Sequence, residues 1–297
     1  MLAHVGGRFA RVESRRHARV MVRGMLAGLA RVNCWSIAEH AGHARPDALQ
    51  HLLSSAVWDE DGVRDDLRSY VVAHLAGPDP AADVLVVDET GDVKKGAATV
   101  GVQRQYTGTA GRIENSQVAV YLAYAGPGGH AFIDRDLYLP TAWTQDRARC
   151  TAAGVPDDVA FATKPALATG MLHRAVAAGV GAKWIAADEV YGADPHLRRW
   201  CREQGLGYVL AVARSHRVVT GIGARRAVDL AVRPDLRWQR LSAGQGTKGH
   251  RWYDWALIDL AADDRDHDAH GGRHALLVRR GRTGELAFYR TMTNLEP

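Results

Sequence analysis

The sequence predicts an α/β protein: a mixed sheet with flanking helices, preceded by an N-terminal helical domain and followed by a β-rich region. Three observations carry this prediction. Apolar residues recur at helical spacing over residues 8–75. Short β-branched apolar runs then alternate with helical patterns: VLVVD at 84–88, KWIAAD at 183–188 and YVLAVAR at 208–214. Beyond residue 215 only short strand-like pieces remain, and the total of 297 residues suits one large domain or two ordinary ones.

Taken in order, the helical stretch places Val20-Met21, Met25-Leu26 and Leu29, then Leu49 and Leu52-Leu53, then Leu67, Tyr70-Val71 and Leu75 on recurring faces, with Gly42, Pro46 and Gly62 as breakers. Inside it, WSIAEHAGHARPDALQHLLSS has an Ala38-x3-Gly42 pair before a second amphipathic segment. That layout fits a helix-turn-helix, but a plain helical bundle is the preferred reading. AGPDPAAD at 76–83 reads as a linker. VLVVD is a buried strand with a turn signal behind it, and ATVGVQRQY (98–106), SQVAVYLAYAG (116–126) and HAFIDRDLYLP (130–140) suggest an antiparallel meander beside it. KPALATGMLHRAVAA (164–178) sets Leu167, Met171, Leu172, Ala175 and Val176 on one helical face, with Gly179 as the stop. KWIAAD is a second buried strand, HLRRWCREQ (196–204) a helix ended by Gly205, and YVLAVAR a third strand; further strand-like pieces lie near 252–260, 274–280 and 285–290.

Composition excludes several classes. With 46% hydrophobic and 24% charged residues the chain is globular in character, and no stretch approaches the roughly 18 apolar residues of a membrane span. The first residues, MLAHVGGRFARVESRR, lack an apolar leader core, so a cytoplasmic protein is expected. Cys34, Cys150 and Cys201 form neither a disulfide framework nor a CxxC zinc spacing. The net charge of +5 is matched by residues 1–40 alone, where Arg8, Arg11, Arg15, Arg16, Arg19, Arg23 and Arg31 face only Glu13 and Glu39. Such a segment reads either as an arm for a polyanion or as a solvated helix face.

Two aspartates share one peculiar position. Asp88 ends VLVV and precedes Glu89-Thr90-Gly91; Asp188 ends WIAA and precedes Glu189-Val190-Tyr191-Gly192. A carboxylate at the carboxyl end of a buried strand points into the crevice where α/β sheets bind ligands. Two of them meeting there repel unless a cation neutralises them, and oxygen ligands favour Mg²⁺ or Mn²⁺ over zinc. The plain alternative is a pair of unrelated turn-capping aspartates.

The ordered motifs VLVVDETGDVKKG, VGVQRQYTGTAGRIENSQVAVYLAYA, AFIDRDLYLP with Trp143 after it, AGVPDDVAFATKP, and WIAADEVYGADPHLRRW with GYVLAVA resemble bacterial insertion-sequence transposases of the DDE superfamily, over residues 8–290. The resemblance implies an RNase H-like fold in which two aspartates and a glutamate hold two Mg²⁺ (or Mn²⁺) ions for phosphodiester hydrolysis and strand transfer. The aspartates carry over to Asp88 and Asp188, as catalytic residues and metal ligands. It also implies a helical DNA-binding domain at 1–76, a catalytic core at 83–215 and a β-rich insertion region at 216–297. Double-stranded DNA, both transposon ends and target, is the implied partner; a homodimer is left open, no membrane is involved, and the expected location is cytoplasmic, at the nucleoid.

The third carboxylate does not carry over. In the family it lies on a helix within a segment of the form RWxIE, whereas this sequence stops at TGELAFYRTMTNLEP. Glu285 sits in a strand-like stretch and Glu296 is penultimate, so the chain resembles a transposase truncated before that segment, and DNA binding without cutting is expected of it. Glu89, Glu189, Glu285 or a neighbouring chain could instead supply a third carboxylate. The competing functions are a non-catalytic remnant that occupies transposon ends and a glycoside hydrolase using the two aspartates, the latter leaving the basic arm unexplained.

DNA-backbone contacts are expected from Arg8, Arg11, Arg15 and Arg16 in the arm and from Lys248 in a glycine-rich turn, while Lys94, Lys95, Arg104 and Arg112 around the first hairpin read equally as backbone contacts or as solvated charges. Gly244-x-Gly246-x-x-Gly249 matches a dinucleotide fingerprint as a string only, because it precedes a strand-like stretch instead of following one. ADDRDHDAHGGRH (262–274) reads as a polar loop without fixed ligand geometry.

Overall fold

The helical periodicity of the first 75 residues folds as α1 (Val12–Met25), α2 (Cys34–His40), α3 (Asp47–Ser54) and α4 (Glu60–Leu75). The computed structural model describes residues 1–221, 223–246, 249–261 and 272–293, and falls into two units, Met1–His74 and Leu75–Pro297. In the first unit Asn33 and Ser36 form a reciprocal capping box that starts α2, and Gly42, in the left-handed region at φ 76°, ends it. Val5, Phe9, Met21, Ile37, Ala38, Leu49 and Leu52 form the core. Helices α1 and α2 cross closely at Gly24, where a methyl carbon would stand 2.8 Å from Cγ1 of Ile37.

In the second unit β1 (Val84–Val93), β2 (Gln103–Thr107), β3 (Arg112–Gly126) and β4 (Gly129–Leu137) precede α5 (Thr141–Thr144), α6 (Arg147–Ala152) and α7 (Lys164–Ala177). Next come β5 (Trp184–Ala187), α8 (Glu189–Gly192), α9 (Pro195–Glu203), β6 (Gly207–Val212), β7 (Arg217–Thr220), β8 (Gly223–Arg226) and α10 (Ala227–Leu230). The last strands are β9 (Gln239–Gly246), β10 (Gly249–Asp259), β11 (Arg273–Arg280) and β12 (Leu286–Thr293). Among the described residues ten strands form one mixed sheet in the order β2-β3-β1-β5-β6-β12-β11-β10-β9, with β4 beside β3. Strands β1, β5 and β6 are parallel neighbours, as buried βαβ units demand, and β3 lies antiparallel to β1. Strands β9–β12 continue the same sheet, joined to it by the antiparallel pairing of β12 with β6.

Leu85, Val87, Val118, Val120, Leu122, Tyr124, Ile185, Tyr208 and Leu210 are all buried on the sheet, and α7 packs Ala168, Met171, Leu172 and Ala175 against β3 and β4. A second cluster, including Val218, Leu230, Ile258, Leu276 and Phe288, continues the core beside β6. No helix among the described residues is long and apolar enough to cross a membrane.

Three sequence expectations are corrected. Strand β1 does not turn after Asp88 but runs on to Val93, because Glu89–Val93 pair with Val120–Ser116 of β3. Gly91 is there for space: a methyl carbon would lie 2.6 Å from Cβ of Thr107. Gly62 does not break a helix. It lies in the first turn of α4, where its N–H donates to Asp59 Oδ1 at 2.8 Å. Finally, of the stretch 98–106 only Gln103 onward is strand.

Candidate active site

The parallel register sets the site. Val84–Val87 of β1 pair with Trp184–Ala187 of β5, so Asp88 and Asp188 are the next residues on each, at the same level. Neighbouring strands lie about 4.8 Å apart, which puts the two backbones within reach of a shared ligand. Asp88 is exposed, Asp188 is exposed as a residue while its carboxyl is partly shielded from water, and Asp188 keeps an extended backbone (φ −78°, ψ −173°). Side chains alternate along a strand, so both aspartates continue the face of the paired Val86 and Ala186. Asp88 is not a strand end in the strict sense; it is where β1 runs past the end of β5.

Asp188 also caps α8. Its Oδ1 accepts from the Val190 N–H at 2.9 Å, which fixes the carboxylate at the start of a single-turn helix. Burial holds the Asp188 carboxyl above its ordinary value, an effect opposed by that backbone bond and reinforced by the negative charges of Glu89 and Asp88. Asp88 Oδ1 accepts from the Glu89 N–H at 2.8 Å.

In the sequence Glu89 is only one of several candidates for a third ligand, and nothing there singles out Lys164 or Tyr191. The structure joins the three. Lys164 Nζ donates to Glu89 Oε1 at 2.5 Å and Tyr191 Oη donates to Glu89 Oε2 at 2.6 Å. The Glu89 side chain is 16% exposed, that of Lys164 20%, and Tyr191 is fully buried. Burial and the neighbouring carboxylate of Glu89 hold the Tyr191 phenol protonated, far above its ordinary range. A signal existed. Leu85 and Val87 point to the core, and period-two alternation puts Glu89 on their side, where a carboxylate needs a partner.

Glu285 lies apart from this cluster, and Glu189, next to Asp188, has no bond to it among those described. Glu189 is exposed in α8. Glu285 precedes β12, whose Tyr289 pairs with Ala211, one residue beyond the pairing of Leu210 with Ala187. That puts Glu285 two strands across from β5 and about 13 Å farther along the strand direction, where it accepts from the Thr283 hydroxyl. Glu296 lies outside the described residues, as does 262–271 of the polar loop. Among the described residues no group of three or more His, Cys, Asp or Glu side chains is placed to hold a metal ion.

The basic residues divide by partner. Arg8 binds Asp66 through Nε and Nη2, both at 2.8 Å, and Asp59 at 3.3 Å. Arg15 donates to the Phe9 carbonyl at 3.2 Å, Lys94 pairs with Asp92 at 2.9 Å and Arg112 with Glu114 at 2.8 Å. Arg11, Arg16, Lys95 and Arg104 are exposed. The turn of Gly244, Gly246 and Gly249 joins β9 to β10, and Lys248 within it lies outside the described residues.

A family model described as DDE superfamily endonuclease matches residues 4–240, most of the chain. The chain belongs to the DDE superfamily endonucleases. As a member of that family it is 29% identical, over 196 residues, to a protein of Microchaete diplosiphon described as a probable transposase for insertion sequence element IS701. The match takes in 66% of this DDE endonuclease chain and 48% of the relative, so the chain spans about half the relative's length. Among solved structures, the NurA nuclease from Sulfolobus solfataricus is similar over 73% of this chain and 69% of its own, at 10% identity and a TM-score of 0.34. The family generally works with divalent metal ions, and this member carries a mixed sheet flanked by helices.

Proposed function

We propose that this chain acts in DNA transposition, with Asp88 and Asp188 placed to hold a divalent cation, Mg²⁺ or Mn²⁺, which would supply the charge stabilisation needed for phosphodiester hydrolysis and transfer on transposon-end DNA. The observation that carries the reading is the parallel pairing of β1 with β5, which brings the two aspartates level. The donors suit such an ion: both are carboxylates, Asp188 is charged only at a cost, and the neighbouring Lys164 is already engaged by Glu89. A hard dication bound there would supply Lewis-acid stabilisation of charge on phosphate oxygens. Asp88 offers its carboxylate from a paired strand, and Asp188 offers one pre-set by its bond to Val190, so neither has to be ordered at the moment of binding.

The helical unit is read as a DNA-phosphate contact surface through Arg11 and Arg16, with Arg8 and Arg15 engaged first in holding the unit's own fold. Residues 1–74 hold ten arginines against eight acids, since acid-rich α4 offsets much of the surplus of residues 1–40. Lys95 and Arg104 are the exposed cations nearest the first hairpin, where Lys94 and Arg112 already have carboxylate partners.

Titration with Mn²⁺ tests the metal assignment. One bound ion is expected, weakened at least about tenfold by Asp88→Asn or Asp188→Asn, and an unchanged affinity in both variants overturns the assignment. Binding to transposon-end duplex across salt concentrations tests the DNA surface: the salt slope should fall by about one on Arg11→Ala or Arg16→Ala. Cation-dependent nicking of plasmid that survives in the Asp88→Ala and Asp188→Ala variants would place the chemistry elsewhere.

A further inference from the structure

We propose that Glu89 is a positioning residue: it ties Lys164 at the start of α7 and Tyr191 in α8 to β1, and so holds the Asp188 loop beside Asp88, without itself contributing an oxygen to the cation. The proposal rests on the reading of Asp88 and Asp188 as the metal-holding pair.

The alternation of β1 is the first support. Asp88 continues the face of Val86, whereas Glu89 continues that of Leu85 and Val87, so their carboxylates leave the strand on opposite sides. Saturation is the second. Each Glu89 oxygen already receives a short bond, from Lys164 at 2.5 Å and from Tyr191 at 2.6 Å, and the side chain is largely closed to water.

The placement of Lys164 is the third support. It is the first residue of α7, capped by Thr163, and an ammonium there sits at the positive end of the helix dipole, the wrong end for a cation. A carboxylate opposite it explains that choice; a solvated lysine would not. The fourth is the weakness of α8 by itself. One turn of helix does not hold its own shape, because nucleation is unfavourable. It is fastened at its first turn by the Asp188 cap, at Tyr191 by Glu89, and at Gly192, whose carbonyl accepts from Arg198 at 2.7 Å and whose Cα lies against the Ala211 backbone. Release of the Tyr191 hydroxyl leaves its ring buried but removes the hydrogen bond that ties α8 to β1, one residue from Gly192 and three from Asp188.

The experiment uses the full chain with Mn²⁺ as probe, reading metal affinity by the resonance of free Mn²⁺ and backbone protection of residues 188–192 by hydrogen exchange. Glu89→Gln and Tyr191→Phe are each expected to weaken Mn²⁺ about tenfold and to speed exchange in α8. The double variant should be no worse than the poorer single, since both cut the same tie. Glu89→Asp, one methylene short of spanning both partners, should not rescue. Should Glu89→Gln abolish Mn²⁺ binding as fully as Asp88→Asn while Tyr191→Phe leaves it unchanged or tighter, Glu89 is a ligand and the proposal is wrong. Unaltered exchange in α8 in both single variants overturns it as well. If Asp88→Asn and Asp188→Asn leave Mn²⁺ binding intact, it is the metal reading that fails, and the exchange data still decide whether Glu89 fastens α8.

Discussion

Gly192 offers a sharp test of how tightly the Asp188 loop is built. A methyl carbon added there would stand 2.9 Å from the carbonyl carbon of Ala211 and 3.2 Å from that of Leu210, with the Ala211 oxygen closer still. These are backbone atoms of β6, which is paired on both sides with β5 and β12, so they have nowhere to go. Carbon atoms in contact settle at about 3.5–4.0 Å, so in Gly192→Ala it is α8 that must retreat, by about 1 Å. That movement takes the 2.6 Å bond from Tyr191 to Glu89 past the range of a hydrogen bond and also strains the 2.7 Å bond from Arg198 to the Gly192 carbonyl. Bonds involving charged groups contribute about 1.5–3 kcal/mol each, so the loss is about 3 kcal/mol or more. In a unit of this size that corresponds to a melting point lower by about 6–12 °C.

Gly170→Ala in α7 is the control. The added methyl meets only Nη1 of Arg174 at 3.9 Å, and alanine is favoured over glycine inside a helix by about 0.5–1 kcal/mol, so this variant should melt slightly higher. Thermal unfolding of the full chain, with Mn²⁺ affinity measured alongside, checks both. A Gly192→Ala protein that melts within a degree of the parent and keeps its Mn²⁺ affinity would show that α8 is not held as described.

Asp66 is held below the ordinary carboxylate value of 3.8 by its bonds from Arg8, so folding gains from this charge above that value and loses the gain as pH falls through and below it. Full-chain melts should therefore show Asp66→Asn less stable than the parent at pH 6, with the gap closing below pH about 4; a gap independent of pH would contradict the assignment. Trp143 is fully buried, donates from Nε1 to the Val102 carbonyl at 2.9 Å and lies under the Arg149 guanidinium at 3.7 Å. Trp143→Ala should cost about 3–5 kcal/mol, read as a lower denaturant midpoint, whereas a cost under about 1 kcal/mol would mean that the site repacks.

What could be read from the sequence follows physical range. That Asp88 and Asp188 follow paired strand segments was visible because each follows a short apolar run, and such runs in a chain that alternates strand and helix pair in parallel. The helix α7 with its stop at Gly179, at φ 77°, was visible because periodicity and capping are local. The extent of β1 was not. Thr90-Gly91 looks like a turn in isolation, and only the pairing with β3 and the side chain of Thr107 show why a glycine belongs inside a strand. The engagement of Arg8 was hidden for a similar reason, since a charge count over residues 1–40 omits Asp59 and Asp66, which lie 51 and 58 residues further along the chain.

The tie at Glu89 was hardest to see, because its partners lie 75 and 102 residues away in sequence. Its one local trace was the alternation of β1. The energetic logic of the site turns on that residue. Asp188 is disfavoured as a charge by burial and by Glu89, yet Glu89 is also what draws in Lys164 and Tyr191. Neutralising Glu89 would ease the repulsion on Asp188 and at the same time release the loop that carries it. Stability alone would favour an apolar residue at position 89, following Leu85 and Val87; under the proposed pairing of Asp88 and Asp188 the repulsion is accepted in exchange for the fastening.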